Sequence, residues 1–384
     1  MKKKYFLIGA DLVPTDNNSN LFVNGHIKDL VGDKLEEIIS GADFRIFNLE
    51  APLVDNSEPI MKWGPPLKAS VSTINGYKAL NVNLLTLANN HILDYGKTGL
   101  YSTIDLLKRN NIDYVGVGED LCDALKPYAF KFDNKMIGVY ACVENEFSVA
   151  TDNSPGANPF DPLCSFDYVE NLASKCDFVI VLYHGGKEHY RFPSPNLQKI
   201  CRHFIDKGAD LVVCQHSHCI GCEEKWGNGT IVYGQGNFIF DDSNLDEWQT
   251  GLLLKVDTDF QLSYYPIRKS GEKVRLAEDD DSSEILSQYR NRSSHILENG
   301  YIEKKYQEFA LDYLGMYLKA CAGRRNLIIR FIDKLTGRRI SNAIPNRCYK
   351  KSELLALINY IECEAHRELF LAGMKEKVKK LNEE

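Results

Sequence analysis

A series of short apolar runs separated by polar or helical segments occupies the first two-thirds of this chain. Each run is rich in Val, Ile, Leu, Tyr or Phe and has the length of a buried strand. Segments with helical spacing lie between many of them, and this alternation predicts an α/β fold. The runs are Tyr5–Ala10, Phe44–Phe47, Leu84–Ala88, Tyr114–Val117, Met136–Cys142, Phe178–Tyr183, Leu211–Cys214 and Ile231–Gly234.

Three of the intervening segments have clear helical spacing, namely Asp33–Ile39, Gly99–Asn110 and Asn196–Lys207. Gly208 follows the last of them, at the position where glycine commonly ends a helix. Residues 145–167 are rich in Pro, Asn, Asp and Ser and predict a long loop.

The C-terminal part of the chain has a different pattern. A strand-like stretch, residues 259–268, is followed by a charged break at Glu278–Ser283 and then by a helical, charged pattern to the end. We therefore predict one α/β domain over residues 1–277 and a helical appendage over residues 284–384. Basic and acidic residues alternate in the appendage, which is typical of a solvated helix face.

Composition excludes several classes of protein. Hydrophobic residues make up 44% and charged residues 26% of the 384 residues, which is typical of a folded globular chain. The net charge of -7, with no basic tail, gives no reason to expect nucleic acid as a partner.

The first apolar run is too short for a signal-peptide core, and no window approaches a membrane span, so we expect a cytoplasmic protein without stable membrane insertion. The oligomeric state stays open.

Side chains able to bind a divalent cation follow the apolar runs repeatedly. Strands of an open α/β sheet end at a common crevice, so residues far apart in sequence are expected to converge there. Cations such as Mn, Fe and Zn accept imidazole, carboxylate and amide oxygen ligands together. The candidates are Asp11, Asn48, Glu50, Asn89, Asn90, His91, Asp94, His184, His216 and His218.

Each candidate taken alone also has an ordinary structural interpretation. Asp11 is compatible with a turn or helix cap, the asparagines before His91 with a polar turn, and His184 with a hydrogen-bonded core histidine. His216 and His218 are a stronger signal, since residues two apart at a strand end point the same way. The prediction of a metal centre depends on the joint pattern.

The order of several longer segments resembles one known family. NLEAPL, LANNHILDYG, HGGKEHYRFPSP, GADLVVCQHSH and VYGQGNFIF, spread over Lys4–Phe240, resemble the CapA/PgsA family of poly-γ-glutamate capsule synthesis. That family in turn resembles the calcineurin-like metallophosphoesterases. The resemblance implies a four-layer α/β/β/α sandwich and a centre of two divalent ions, Mn, Zn or Fe.

The resemblance also implies roles for individual residues. It assigns His91 the role of general acid, and we also expect Asp94, three residues later, to take part in catalysis. Glu188 and Asn237 match recurrent family positions, and we expect them to contact substrate or the metal ligands. Apart from the resemblance, we expect the same of Asn48, Asn89 and Lys68, although a lone surface lysine is usually only solvated. The implied metal ligands are Asp11, Glu50, Asn90, His184, His216 and His218.

Two departures from the phosphoesterase pattern concern these ligands. Leu12 and Val13 follow Asp11, whereas a histidine two residues after the first acid is usual. Glu50 stands where an aspartate is usual. One ion is therefore expected to have fewer protein ligands.

The expected activity is metal-dependent hydrolysis of a phosphoester or a γ-glutamyl amide, with an acidic polymer or a phosphoester as the substrate. The alternative is a non-catalytic protein that keeps the fold and uses its pocket to bind acidic polymer during capsule assembly. A weaker third possibility is an interaction protein that acts through its C-terminal helices.

Overall fold

The computed structural model describes residues 3–62, 64–241 and 243–321, with isolated positions beyond residue 321. The chain forms two compact units, Met1–Glu303 and Lys304–Glu384. Most of the predicted helical appendage after residue 321 lies outside the described residues.

The first sheet has eight strands and combines parallel with antiparallel pairing. In sheet order they are β16 (Lys273–Leu276), β15 (Leu262–Ser270), β14 (Thr250–Asp257), β1 (Tyr5–Leu12), β2 (Phe44–Asn48), β3 (Leu84–Thr86) and β4 (Asp113–Val115), with β13 (Asn237–Ile239) also beside β1. The strands β1 to β4 are parallel, and β14 to β16 continue the sheet in antiparallel fashion. Parallel strands end at the same edge, which is where the sequence places the candidate ligands.

The second sheet has six strands. In sheet order they are β11 (Glu223–Trp226), β12 (Gly229–Tyr233), β10 (Leu211–Gln215), β9 (Phe178–His184), β7 (Lys135–Val143) and β6 (Tyr128–Phe132). The four central strands are parallel, and the two edge strands pair antiparallel. A separate two-stranded ladder joins β5 (Val117–Gly118) to β8 (Gly156–Ala157).

Helices connect most of the parallel strands. They are α1 (Ser19–Asn24), α2 (Ile27–Val31), α3 (Asp33–Ser40), α4 (Ile74–Ala79), α5 (Gly96–Arg109), α6 (Leu121–Ala124), α7 (Ser165–Ala173), α8 (Pro195–Asp206), α9 (Asp279–His295) and α10 (Tyr301–Cys321), with 3-10 turns at Val71–Thr73 and Asp246–Gln249. The start of α8 is capped by Ser194, whose hydroxyl accepts a hydrogen bond from the amide of Leu197. Gly208 follows α8 with a φ of 98°, as predicted for a helix-ending glycine.

Three apolar layers hold the sheets and helices together. Between the sheets, Phe6 and Ile8 of β1 belong to the same buried cluster as Leu182 of β9 and Val213 of β10. A second cluster joins α3 and α5 to the first sheet, and a third joins α7 and α8 to the second. The predicted four-layer α/β/β/α sandwich is therefore confirmed, and C-terminal helices, α9 and α10, are present.

The structure differs from the sequence-based boundaries in two places. The loop predicted over residues 145–167 includes β8 and ends where α7 begins at Ser165. The helix α9 begins at Asp279, inside the predicted charged break, because acidic residues are favourable in the first turn of a helix. It packs on β11 and β15, and the first compact unit extends to Glu303, beyond the boundary predicted at residues 277–284.

None of the helices in the described part of the chain combines the length and the apolar character that a bilayer span requires.

Candidate metal centre

The candidate ligands lie where strands of both sheets end. Asp11 is the penultimate residue of β1, and Glu50 comes two residues after the end of β2. Asn90 lies in the turn after β3, His184 is the last residue of β9, and His216 directly follows β10. The two sheets therefore contribute to one buried site.

Glu50 is the acidic residue at the middle of this cluster. Its Oε1 atom lies 3.2 Å from Nε2 of His184 and 4.0 Å from Nδ1 of His216. Ligand atoms of these three residues all lie within 4.8 Å of one another, a spacing that one ion can bridge. Nε2 of His184 also lies 3.0 Å from Oδ1 of Asn90. The predicted asparagine ligand therefore belongs to the same cluster.

A second group of possible ligands is formed by Asp11, Glu50 and His218. Oδ2 of Asp11 lies 3.4 Å from Nδ1 of His218. A third group joins Glu188 to His216 and His218, again with one ligand atom from each residue within 4.8 Å of the others. Glu188 thus stands among the possible ligands themselves, whereas the sequence suggested only contact to substrate or to the ligands.

Three asparagines orient the ligands. Nδ2 of Asn48 donates to Oδ1 of Asp11 at 2.7 Å and lies 3.3 Å from Nδ1 of His184. Asn89 donates to Oδ1 of Asn48 at 3.1 Å, and Oδ1 of Asn237 lies 2.9 Å from Nδ1 of His218. Such amide partners fix the rotamers of ligating side chains.

Several buried polar atoms of this cluster lack a hydrogen-bond partner. They are Oδ2 of Asp11, both carboxylate oxygens of Glu50, Nδ1 of His216 and Nδ2 of Asn237. Asp11 and Glu50 are 0% exposed, so water does not solvate them from outside. Buried carboxylate oxygens without hydrogen bonds are costly unless a cation, such as a metal ion or a protonated imidazole, lies beside them. The side chains therefore fit a centre of divalent ions.

Protonation in the metal-free site follows from the same contacts. Burial alone would raise the pKa of the Glu50 carboxyl, but the charges of His218 and His184 and the close contacts with the imidazoles of His184 and His216 hold it well below its ordinary value. Burial lowers the pKa of His218, but the charge of Glu50 and the contact with Asp11 outweigh it and raise that pKa to about 9. Without a metal ion, protonated imidazoles therefore supply the positive charge that neutralises the buried carboxylates.

The backbone of the two final histidines is unusual. The strand β10 ends at Gln215, so His216 and His218 lie in the turn beyond it. Their φ angles are 89° and 53°, in the region that favours glycine, at a cost of about 1–3 kcal/mol each. Their ring centroids lie 6.0 Å apart. This strained turn, and not strand alternation, brings the two imidazoles together.

His91 and Asp94 form a second cluster with a lysine that the sequence analysis did not single out. Nδ1 of His91 lies 2.6 Å from Oδ2 of Asp94 and 3.2 Å from Nζ of Lys62. Lys62 also forms an ion pair with Asp94, and the two side chains are 3% and 0% exposed. The amide of Leu67 donates to Asp94 at 2.7 Å. Both partners of His91 are therefore rigidly held.

A comparison with known families decides the relationship of this chain. The model of the bacterial capsule synthesis protein PGA_cap matches residues 11–242, more than half of the 384 residues. The chain belongs to this family. The matched region contains every residue discussed above for the two clusters.

Two curated capsule proteins of Bacillus are similar to this chain. The PGA biosynthesis protein CapA of Bacillus subtilis is 29% identical over 221 residues, which cover 56% of this chain and 57% of that protein. The capsule biosynthesis protein CapA of Bacillus anthracis is 29% identical over 229 residues, covering 57% and 56%. The chain thus spans a little over half the length of these relatives.

Among solved structures, a phosphatase of Mycoplasma pneumoniae is similar with a TM-score of 0.43 and 17% identity, covering 71% of this chain and 95% of that one.

Within this PGA_cap chain, the structure does not bring Lys68 to either cluster by any contact of the described residues. The side chain of Lys68 is exposed, donates to the carbonyl of Asp55 at 3.0 Å and lies over the ring of Tyr95. Lys62, six residues earlier in the same loop, occupies the buried position instead. No periodic pattern in this loop distinguishes the two lysines, so Lys62 could not be singled out from sequence.

Trp248 is another neighbour of the centre that the sequence did not indicate. Its ring centroid lies 4.5 Å from that of His218, and its indole nitrogen donates to Nε2 of His189 at 2.9 Å. Phe240 packs on both His218 and Trp248. These rings cover one side of the His218 imidazole.

Proposed function

We propose that this PGA_cap protein is a metal-dependent hydrolase that cleaves a phosphoester or a γ-glutamyl amide bond in the synthesis of a capsule or polyglutamate polymer. The observation that carries the proposal is the convergence of Asp11, Glu50, His184, His216 and His218 around carboxylate oxygens that lack a hydrogen-bond partner. A cytoplasmic location is part of the proposal, and cell fractionation tests it.

The residues suit two divalent ions, Mn, Zn or Fe. Glu50 belongs to two of the ligand groups, and His216 and His218 each belong to two as well, so neighbouring ions would share this set. Asn90 and His184 would complete one side, and Asp11 the other. When bound, such ions polarise a phosphoryl or acyl oxygen and lower the pKa of a bound water.

His91 is proposed to act as the general acid. Its Nδ1–H group would donate to the carboxylate of Asp94, which orients the ring, and Nε2 of the protonated imidazole would carry the proton that passes to the leaving group. Lys62 neutralises Asp94 and fixes its orientation. Asp94 and Lys62 are therefore positioning residues for His91.

The burial of the candidate metal ligands supports the proposed hydrolytic activity. Asp11, Asn48 and Glu50 are each 0% exposed, and His184 is 2% exposed. Charges act more strongly in such a dry, preorganised site than in water. The asparagine contacts keep the ligating side chains in place before substrate arrives.

The test is an assay of the full chain loaded with Mn²⁺ or Zn²⁺ against phosphomonoesters, phosphodiesters and γ-glutamyl oligomers. We expect turnover of one class, and His91→Asn should lower kcat by about 10²–10⁴-fold while the metal content is unchanged. Full metal loading with no turnover of any class would contradict hydrolysis. Retained binding of polyglutamate in that case would favour the non-catalytic polymer-binding role.

A further inference from the structure

A cavity of about 250 Å³ lies apart from the two clusters described above. Three arginines line it, and two of them, Arg191 and Arg292, belong to none of the ion pairs among the described residues. Arg268, the third, is paired with Asp281. Two unpaired guanidinium groups in one cavity call for an explanation, because such groups are usually paired with an anion when they leave bulk water.

Both guanidinium groups are held by the same short loop. Nη1 of Arg191 donates to the carbonyl of Ile220 at 3.1 Å, and Nη2 of Arg292 donates to the same carbonyl at 3.2 Å. Nε of Arg292 donates to the carbonyl of Gly221 at 2.7 Å. Two like charges therefore share one neutral acceptor.

These bonds leave donors free for a ligand. A guanidinium has five N–H donors, and the contacts to the loop use one from Arg191 and two from Arg292. Two fixed guanidinium groups are well suited to a planar or tetrahedral oxyanion, which accepts hydrogen bonds from several N–H groups at once.

No carboxylate among the described residues forms an ion pair with either of the two guanidinium groups. Burial and the neighbouring charge of Arg191 both lower the pKa of Arg292, although a guanidinium stays protonated at neutral pH. Asp246 and Glu284 also line the cavity, but neither pairs with Arg191 or Arg292 among the described contacts. Glu284 accepts a hydrogen bond from Gln288 instead.

The loop itself cannot easily move away. A Cβ atom on Gly221 would lie 1.6 Å from the carbonyl oxygen of Tyr233, so only glycine allows the observed approach to β12. The same chain segment carries His218 two residues before Ile220. The arginine cavity and the metal centre are thus built on one rigid turn.

We propose that Arg191 and Arg292 form a second binding site, separate from the metal centre, for an oxyanion of the carboxylate or phosphate type. Under the proposed function, this oxyanion would be an acidic group of the polymer substrate. Only this assignment to an acidic polymer rests on the proposed function, and the oxyanion site itself does not require hydrolysis.

The test is a calorimetric titration of the full chain with inorganic phosphate, glutarate and a γ-glutamyl tripeptide. Each titration is run with and without bound Mn²⁺, because phosphate also binds metal ions and the metal-independent part reports this cavity. Arg191→Gln and Arg292→Gln are each expected to weaken the metal-independent binding about tenfold or more, the effect of losing charged hydrogen bonds. Tighter binding of phosphate, or of the two carboxylate ligands, identifies the class.

Arg275→Gln is the matched control, since Arg275 also donates to backbone carbonyls but lies outside this cavity. Its affinity should equal that of the parent. Thermal melting shows whether a variant fails to fold. If Arg292→Gln does so, the test depends on Arg191→Gln alone, which loses only one hydrogen bond to the loop. Unchanged affinity in Arg191→Gln, an equal loss in Arg275→Gln, or no metal-independent binding of any ligand would overturn the proposal. A protein that binds these ligands but hydrolyses nothing would contradict only the proposed function.

Discussion

Nε2 of His184 lies 3.2 Å from Oε1 of Glu50, although the two residues come from the ends of strands in different sheets. The contact exists only when both sheets are packed in register across the apolar layer between them. The candidate metal centre therefore forms only when the two sheets of the sandwich pack on each other.

Leu182→Ala tests this dependence on the layer between the sheets. Leu182 is 1% exposed and lies two residues before His184, so its truncation is expected to lower the free energy of unfolding by about 2–5 kcal/mol. Leu163→Ala is the matched control, because Leu163 is 86% exposed, and it should change stability by less than about 0.5 kcal/mol. Urea unfolding measures both, and equal values for the two variants would contradict this description of the core.

Glu188→Gln tests whether Glu188 compensates for the histidine that is missing two residues after Asp11. Glu188 shares a possible ligand group with His216 and His218, so the variant should hold about one ion per chain where the parent holds about two. Glu247→Gln is the control, since Glu247 contributes to the electrostatics of His189 but belongs to none of the ligand groups found among the described residues. Metal analysis after loading and gel filtration gives the answer. Equal metal content in Glu188→Gln and the parent would remove Glu188 from the ligands.

Lys62→Met tests the buried ion pair beside His91. The change leaves the carboxylate of Asp94 buried without its cation, so we expect a loss of about 3–5 kcal/mol in the free energy of unfolding. Lys68→Met, in the same loop but exposed, should cost less than about 0.5 kcal/mol. Chemical denaturation of both variants measures the difference. A loss below about 1 kcal/mol in Lys62→Met would mean that the pair is not held as described.

The affinity for metal should rise with pH. The neighbouring carboxylates outweigh burial and raise the pKa of His218 to about 9, and that of His216 is also raised, so a binding ion must displace protons from imidazoles. Each displaced proton gives about a tenfold gain in apparent affinity per pH unit until the folded pKa is reached. Titration with Zn²⁺ or Mn²⁺ between pH 6.5 and 9 measures this slope. A flat profile over that range would contradict protonated histidines in the metal-free site.

The same shift has the opposite consequence for the stability of the metal-free protein. A histidine whose pKa rises from 6.5 to about 9 on folding stabilises the folded state fully below pH 6.5, and this contribution is lost as the pH rises through 9. The melting temperature of the chelator-treated protein should therefore fall over this interval, and saturating metal should reduce the fall. A melting temperature that rises over the same pH interval would contradict the stabilisation of the metal-free fold by protonated His218.

Much of the fold and most of the ligand cluster could be predicted because both follow from local patterns. Buried strands leave recognisable apolar runs, and the residues at their ends, such as Asp11 and His184, share one edge of a parallel sheet. The start of α9 was missed since acidic residues resemble a loop in composition yet stabilise the first turn of a helix.

The part that could not be predicted depends on loops. Lys62 and Lys68 are equivalent in sequence terms, and only the path of the chain between β2 and α4 decides which one is buried against Asp94. Glu188 becomes a possible ligand because the turn after β9 brings it to His216 and His218, and Trp248 reaches His218 from a 3-10 turn. No periodicity encodes such contacts.

The most direct test of the metal centre is the metal content of the full chain and of Glu50→Gln, measured by mass spectrometry after loading with Mn²⁺ and gel filtration. Glu50 belongs to two of the ligand groups, so we expect about two ions per chain in the parent and less than half of that in the variant. Less than about 0.2 ions per chain in the parent, or equal content in both proteins, would contradict a metal centre at this site.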